Sequence, residues 1–162
     1  TAEEAWLTRF PESVSVHLRQ FPETPASWED DFAGEEMARL RSVRAVVTGA
    51  LEVARREKAI GAALEASPRV FIADEGLRAS AQSVDFAELC ITSGVTIEAG
   101  EGPDDAFRLA EMPGVAVAVE KAGGVKCARS WKYFDPSTAD PRYPDITPRD
   151  AEAVAAWDAA RR

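Results

Sequence analysis

The stretch that most constrains the fold is residues 34–66, GEEMARLRSVRAVVTGALEVARREKAIGAALEA. Met37, Leu40, Val43, Val47, Ala50 and Ala54 recur in steps of three or four, the period of one helix face. A helix this long cannot stand alone with such a stripe exposed, so the rest of the chain must cover it. The opposite face is basic. Residues 39–58 carry Arg39, Arg41, Arg44, Arg55, Arg56 and Lys58 against only Glu52 and Glu57, in a chain whose net charge is −9. Such a face reads as solvated, with pairs such as Glu52–Arg56 at i, i+4 contributing about 0.2–0.5 kcal/mol each. It also reads as a surface for an anionic partner, and charge alone favours the first.

A chain of 162 residues makes one domain or two small ones. A hydrophobic share of 46% allows a core. No run approaches the roughly 18 apolar residues that cross a bilayer. The chain opens at Thr1 without a charged-then-apolar leader and is expected to be a piece of a longer one. Cys90 and Cys127 stand in unlike contexts and form no disulfide framework, which fits a reducing, cytoplasmic setting.

Thr1-Ala2-Glu3-Glu4 has capping-box form, so a short helix is expected from the first residue to before Pro11. Val14, Val16 and Leu18 alternate with polar residues as a short extended piece around His17, the single histidine. Residues 21–28, FPETPASW, read as a loop anchored by Trp28. Asp30 and Asp31 suit the start of the long helix, and Gly61 weakens its end. At Ser67-Pro68 the composition changes. Three β-prone runs follow at 69–73, 90–97 and 115–120, the last an alternation of Val and Ala that reads as buried on both sides. Residues 77–89 read as helical with a break near Ser83, and 100–105 as an acidic, Gly-containing loop. The fold class is therefore α+β: a helical piece at 1–66, then a small α/β piece at 67–162.

Residues 123–150, GGVKCARSWKYFDPSTADPRYPDITPRD, hold two spaced pairs, Cys127-x-x-Ser130 and Thr147-x-x-Asp150. That is the outline of a zinc knuckle with three of its four cysteines replaced. Zinc takes about four N, S or carboxylate donors; Cys127 qualifies and Asp150 could, but two hydroxyls do not, which argues against a structural zinc. Thr147-Pro148-Arg149-Asp150 instead has the chemistry of a helix start for a terminal helix at 148–160. Capping, with packing around Trp131, Tyr133 and Tyr143, would replace the metal. Cys90, amid Leu89, Ile91 and Val95, reads as a small buried residue.

KCARSWKYF followed by DPRYPDITPRD resembles the C-terminal end of bacterial isoleucyl-tRNA synthetases, where the pattern is a four-cysteine zinc knuckle. TAEEAW at 1–6, VHLRQFPE at 16–23 and LEVARREKAIGAALEA at 51–66 resemble successive parts of that family's anticodon-binding helical domain and the junction after it. Ala62 and Ala63 stand where the family usually has serines. The missing cysteines leave Cys127 as a remnant of a zinc site.

The resemblance implies the end of a helical anticodon-binding domain at 1–66 and a small C-terminal α/β domain at 67–162. The family joins isoleucine to its tRNA with ATP and Mg²⁺, but its catalytic motifs and editing domain have no match here. The segment itself would hold no cofactor. Its partners would be the anticodon stem-loop of tRNA(Ile) and the catalytic domain of a parent synthetase, with no membrane. Unstacked RNA bases lie on aromatic or guanidinium planes, and two patches offer them. Arg41, Arg44, Arg55, Arg56 and Lys58 would anchor phosphates. At the knuckle, Lys126, Arg129 and Lys132 join Lys121 in an acid-free stretch from 121 to 134. By resemblance Arg129 and Trp131 lie against anticodon bases. If the stretch is extended, Cys127, Arg129, Trp131 and Tyr133 share one side. Two other readings stand: a free-standing interaction domain that has lost RNA binding, and a small zinc enzyme with Cys127, His17 and Asp150 as ligands.

Overall fold

The structure, a computed structural model, describes residues 1–161. The chain divides into two compact units, residues 1–33 and 34–162.

The first unit opens with α1 (Ala2–Arg9), whose capping box is formed as the sequence implies, Thr1 accepting from the Glu4 amide. The Trp6 and Phe10 ring centroids lie 4.4 Å apart, and the Trp6 Nε1–H donates to Ser13 Oγ at 2.7 Å. The expected extended piece at 14–18 does not form. Ser15 accepts from the His17 amide and caps a 3-10 turn, Val16–Leu18. A side chain that bonds its own backbone competes with the strand. Trp28 is 74% exposed.

The long helix, α2 (Asp31–Arg56), lies in the second unit from Gly34 on and there buries Leu40, Val43, Val46, Val47, Ala50, Leu51 and Ala54. The chain stops being helical ten residues before the stretch of 34–66 ends. Lys58 adopts φ 60°, and the Ala59 amide reaches back to the Ala54 carbonyl at 2.9 Å, a left-handed closure of the last turn. Three strands follow: β1 (Arg69–Ile72), β2 (Thr96–Ala99) and β3 (Val115–Ala118). β1 is central, parallel to β2 and antiparallel to β3. The crossover from β1 to β2 carries two short helices, α3 (Glu75–Gln82) and α4 (Phe86–Cys90). Asp74 caps the first and Asp85 the second, so the expected break near Ser83 is real. Residues 90–95 are not strand, because α4 runs to Cys90 and Ile91 closes it in the left-handed region at φ 58°.

The buried residues of α2, β1, β3, α3 and α4 form one core. The composition change at Ser67-Pro68 falls inside that core. A second, small core gathers Cys127, Ile146 and Ala151 with Phe134, Tyr143 and Val154. It is built from a hairpin, β4 (Val125–Lys126) and β5 (Tyr133–Phe134), and from α5 (Pro148–Ala160), with Thr147 as its cap and Pro148 in its first turn. Gly124 enters the hairpin at φ 90°. A Cβ there would fall 2.1 Å from the Phe134 carbonyl oxygen, so only glycine fits. Among the described residues no helix is long and apolar enough to cross a membrane.

Candidate nucleic-acid interface

The knuckle is a tight turn between β4 and β5. The Cys127 amide donates to the Lys132 carbonyl at 2.7 Å and the Trp131 amide to the Cys127 carbonyl at 3.1 Å. An alternating face for Cys127, Arg129, Trp131 and Tyr133 is therefore not present. Cys127 is fully buried, Trp131 is 63% exposed, Arg129 is exposed and Tyr133 is half-buried. The turn folds back because the Arg129 and Ser130 amides both point at the Cys127 sulfur, at 3.4 and 3.3 Å. Closing the turn leaves Trp131 at φ 64°, a conformation that costs a side chain about 1–2 kcal/mol. Trp131 is thus mostly in solvent rather than packed beneath the knuckle.

The two spaced pairs converge. Asp150 Oδ2 accepts from Ser130 Oγ at 2.6 Å, from Thr147 Oγ1 at 2.7 Å and from the Cys127 thiol at 3.2 Å. Its amide donates to Thr147 Oγ1 at 3.1 Å. Its other oxygen, Oδ1, lies 3.4 Å from Arg129 Nε. Burial raises the Asp150 carboxyl, but the hydrogen bonds from Ser130, Thr147 and Cys127 and the Arg129 charge outweigh it and hold it below the ordinary carboxylate value. Burial likewise pushes the Cys127 thiol up, and the bonds from Ser130, Thr147 and Arg129 bring it below its usual value.

The zinc question can be tested on this donor set. One thiol, one carboxylate and two hydroxyls meet where a structural zinc needs about four N, S or carboxylate ligands; the set does not fit. Among the described residues there is no group of three or more His, Cys, Asp or Glu side chains that could hold a metal ion.

The cations named from the sequence differ in freedom. Lys126 is exposed, and its Nζ stands 5.4 Å from the Trp131 ring centroid, within cation–π range. Arg129 is exposed but leans on Asp150. Lys132 is half-buried and its ammonium is taken by Glu88, which also receives Arg149 Nη1 at 2.7 Å. On α2, Arg44 is half-buried with its Nε donating to the Leu89 carbonyl at 2.7 Å. Arg41, Arg56 and Lys58 are exposed, and Arg55 pairs with Glu52 at the surface. Arg44 and Lys132 therefore bind adjacent residues of α4, which brings the knuckle beside the middle of α2. Arg55 and Arg56 lie more than ten residues further along α2, about 16 Å or more at the helical rise, and Lys58 lies past the helix end. The sequence reading gives Arg149 a place in the helix start but no partner; only its bond to Glu88 identifies that. Cys90 is buried, and burial pushes its thiol up to about 12.

No family model matches the chain. It is 52% identical over 154 residues to isoleucine–tRNA ligase of Brucella abortus. It is 54% identical over 154 residues to that of Agrobacterium fabrum and 53% identical over 157 residues to that of Mesorhizobium japonicum. Each match covers 95% of the chain but 16% of the relative's length. With half its residues shared along nearly all of its length, the chain belongs to the isoleucine–tRNA ligase family, as a segment of it.

Proposed function

We propose that this segment recognises the anticodon stem-loop of tRNA(Ile) for an isoleucine–tRNA ligase. The ATP- and Mg²⁺-dependent joining of isoleucine to tRNA would belong to a catalytic domain outside it. The observation that carries the reading is Trp131, a large aromatic left mostly in solvent on a strained backbone, with Lys126 over its ring and Arg129 in the same turn. An exposed π-face flanked by cations is what an unstacked RNA base requires. Arg41, Arg55, Arg56 and Lys58 would meet phosphates, which add affinity without sequence preference. Lys132 and Arg44, tied to α4, would set the position of the turn and of α2 and contact RNA less.

The test is binding of an anticodon stem-loop of tRNA(Ile) to the chain and its variants. Trp131→Ala and Arg129→Ala are expected to weaken binding, Trp131→Ala by about 1–3 kcal/mol for one lost stack, with the circular dichroism spectrum unchanged. Arg55→Ala should instead lower the salt slope by about one. Wild-type affinity in both knuckle variants would refute the site. A chain with no salt-dependent RNA affinity that purifies with another protein would point to an interaction domain.

A further inference from the structure

We infer that the knuckle is closed by the Asp150 carboxylate in place of a metal ion, and that the same carboxylate aims Arg129. In a four-ligand knuckle two spaced pairs are drawn to a central cation. Here the same four positions are drawn together around an anion, and the polarity of the site is inverted. Ser130 and Thr147, which cannot serve as zinc ligands at neutral pH, are hydroxyl donors, and the Cys127 thiol is a third donor. All three point at one oxygen of Asp150. One of the four positions has become the centre and the other three its shell.

The remaining groups agree with this assignment. The Arg129 and Ser130 amides still point at the Cys127 sulfur, so the turn is shaped as for a thiolate, with a thiol inside it. No buried side-chain nitrogen or oxygen among the described residues lacks a hydrogen-bond partner, so none in the knot is left orphaned. The second oxygen of Asp150 faces Arg129 Nε. That ion pair draws the Nε edge of an otherwise exposed guanidinium toward Asp150 and would leave its outer nitrogens for a partner. Asp150 also sits in the first turn of α5 with Thr147 as cap. The closing of the knuckle and the start of the last helix are then one event, since Thr147 serves both.

The experiment uses the 162-residue chain, purified without chelator, in four forms. Wild type should contain no stoichiometric zinc, and the amide resonances of Arg129, Ser130 and Trp131 should not move on addition of EDTA. Asp150→Asn keeps the shape but loses the charge and one acceptor oxygen. It should shift or broaden those three amides and the Arg129 Nε–H while leaving the β1 and β3 amides in place; Asp150→Glu, which restores the charge one methylene away, should recover them in part. The triple variant Ser130→Cys, Thr147→Cys, Asp150→Cys rebuilds four thiols. It should take up one equivalent of Co²⁺ with the visible bands and near-ultraviolet charge transfer of a tetrahedral thiolate site. Stoichiometric zinc in wild type, unmoved knuckle amides in Asp150→Asn, or a triple variant that takes up no Co²⁺ would each overturn the inference. None of these readouts uses RNA, so they stand or fall apart from the anticodon reading.

Discussion

Trp131 and Cys127 are four residues apart and have exchanged the roles their chemistry favours. The thiol is sealed and the indole is in solvent. Trp131 further bears a left-handed backbone that glycine would adopt freely. Trp131→Gly should therefore change stability by no more than about 1 kcal/mol, because release of the strain offsets the extra chain entropy of glycine. A core Trp→Ala change costs about 3–5 kcal/mol by comparison. Urea unfolding of the variant checks this, and a loss near the larger figure would mean that the ring packs. The same variant should bind the anticodon stem-loop more weakly, so stability and binding would part company at one position. The sequence places both residues on one side only if the stretch is extended, and the stretch turns instead. Alternation is a property of extended chain, and the sulfur-directed amides of a knuckle turn leave no trace in residue spacing beyond Cys127-x-x-Ser130 itself.

Among the elements, those with local chemistry were the most legible. The capping box of α1, the Thr147–Pro148 start of α5 and the break between α3 and α4 all follow from side chains bonding backbone amides within three residues. Elements decided by tertiary context were less so. The end of α2 depends on Lys58 entering the left-handed region, and nothing in a lysine announces that. The register of β2 depends on where α4 stops. Strand pairing is fixed in part by Arg69 of β1, whose Nε and Nη2 clamp the Glu98 carboxylate of β2 at 2.7 and 3.0 Å. That hydrogen-bonded pair holds Glu98 below the ordinary carboxylate value, mild desolvation notwithstanding. The sign follows: its contribution is fully present above the unfolded carboxylate range and is lost as pH falls through the lower folded value. Glu98→Gln should destabilise the chain at pH 7 and converge on wild type in strong acid. Parallel stability curves across that range, measured by denaturant unfolding, would contradict the assignment.

At the scale of the whole molecule, the second unit holds two cores of unequal size. The larger one joins α2 to the sheet, so Leu51, 3% exposed, is a test of cooperativity. Leu51→Ala should cost about 2–5 kcal/mol, read as a lower urea midpoint shared by tryptophan fluorescence and circular dichroism. Two separated transitions would show that the knuckle core melts on its own. The small core is attached by several kinds of bond: the Ala122 amide to the Glu65 carbonyl at 2.8 Å, the Tyr133 amide to Ser93 Oγ at 2.7 Å, and the cations on Glu88. None of these pairings is close in sequence, which is why the docking was invisible there while each module was not. The five residues of α4 take this furthest. Arg44 of the longest helix hangs on its Leu89 carbonyl, and Arg149 of the last helix grips its Glu88 side chain. A tug on either helix is thus relayed to the other through barely more than one turn of backbone, pinned at its start by Asp85.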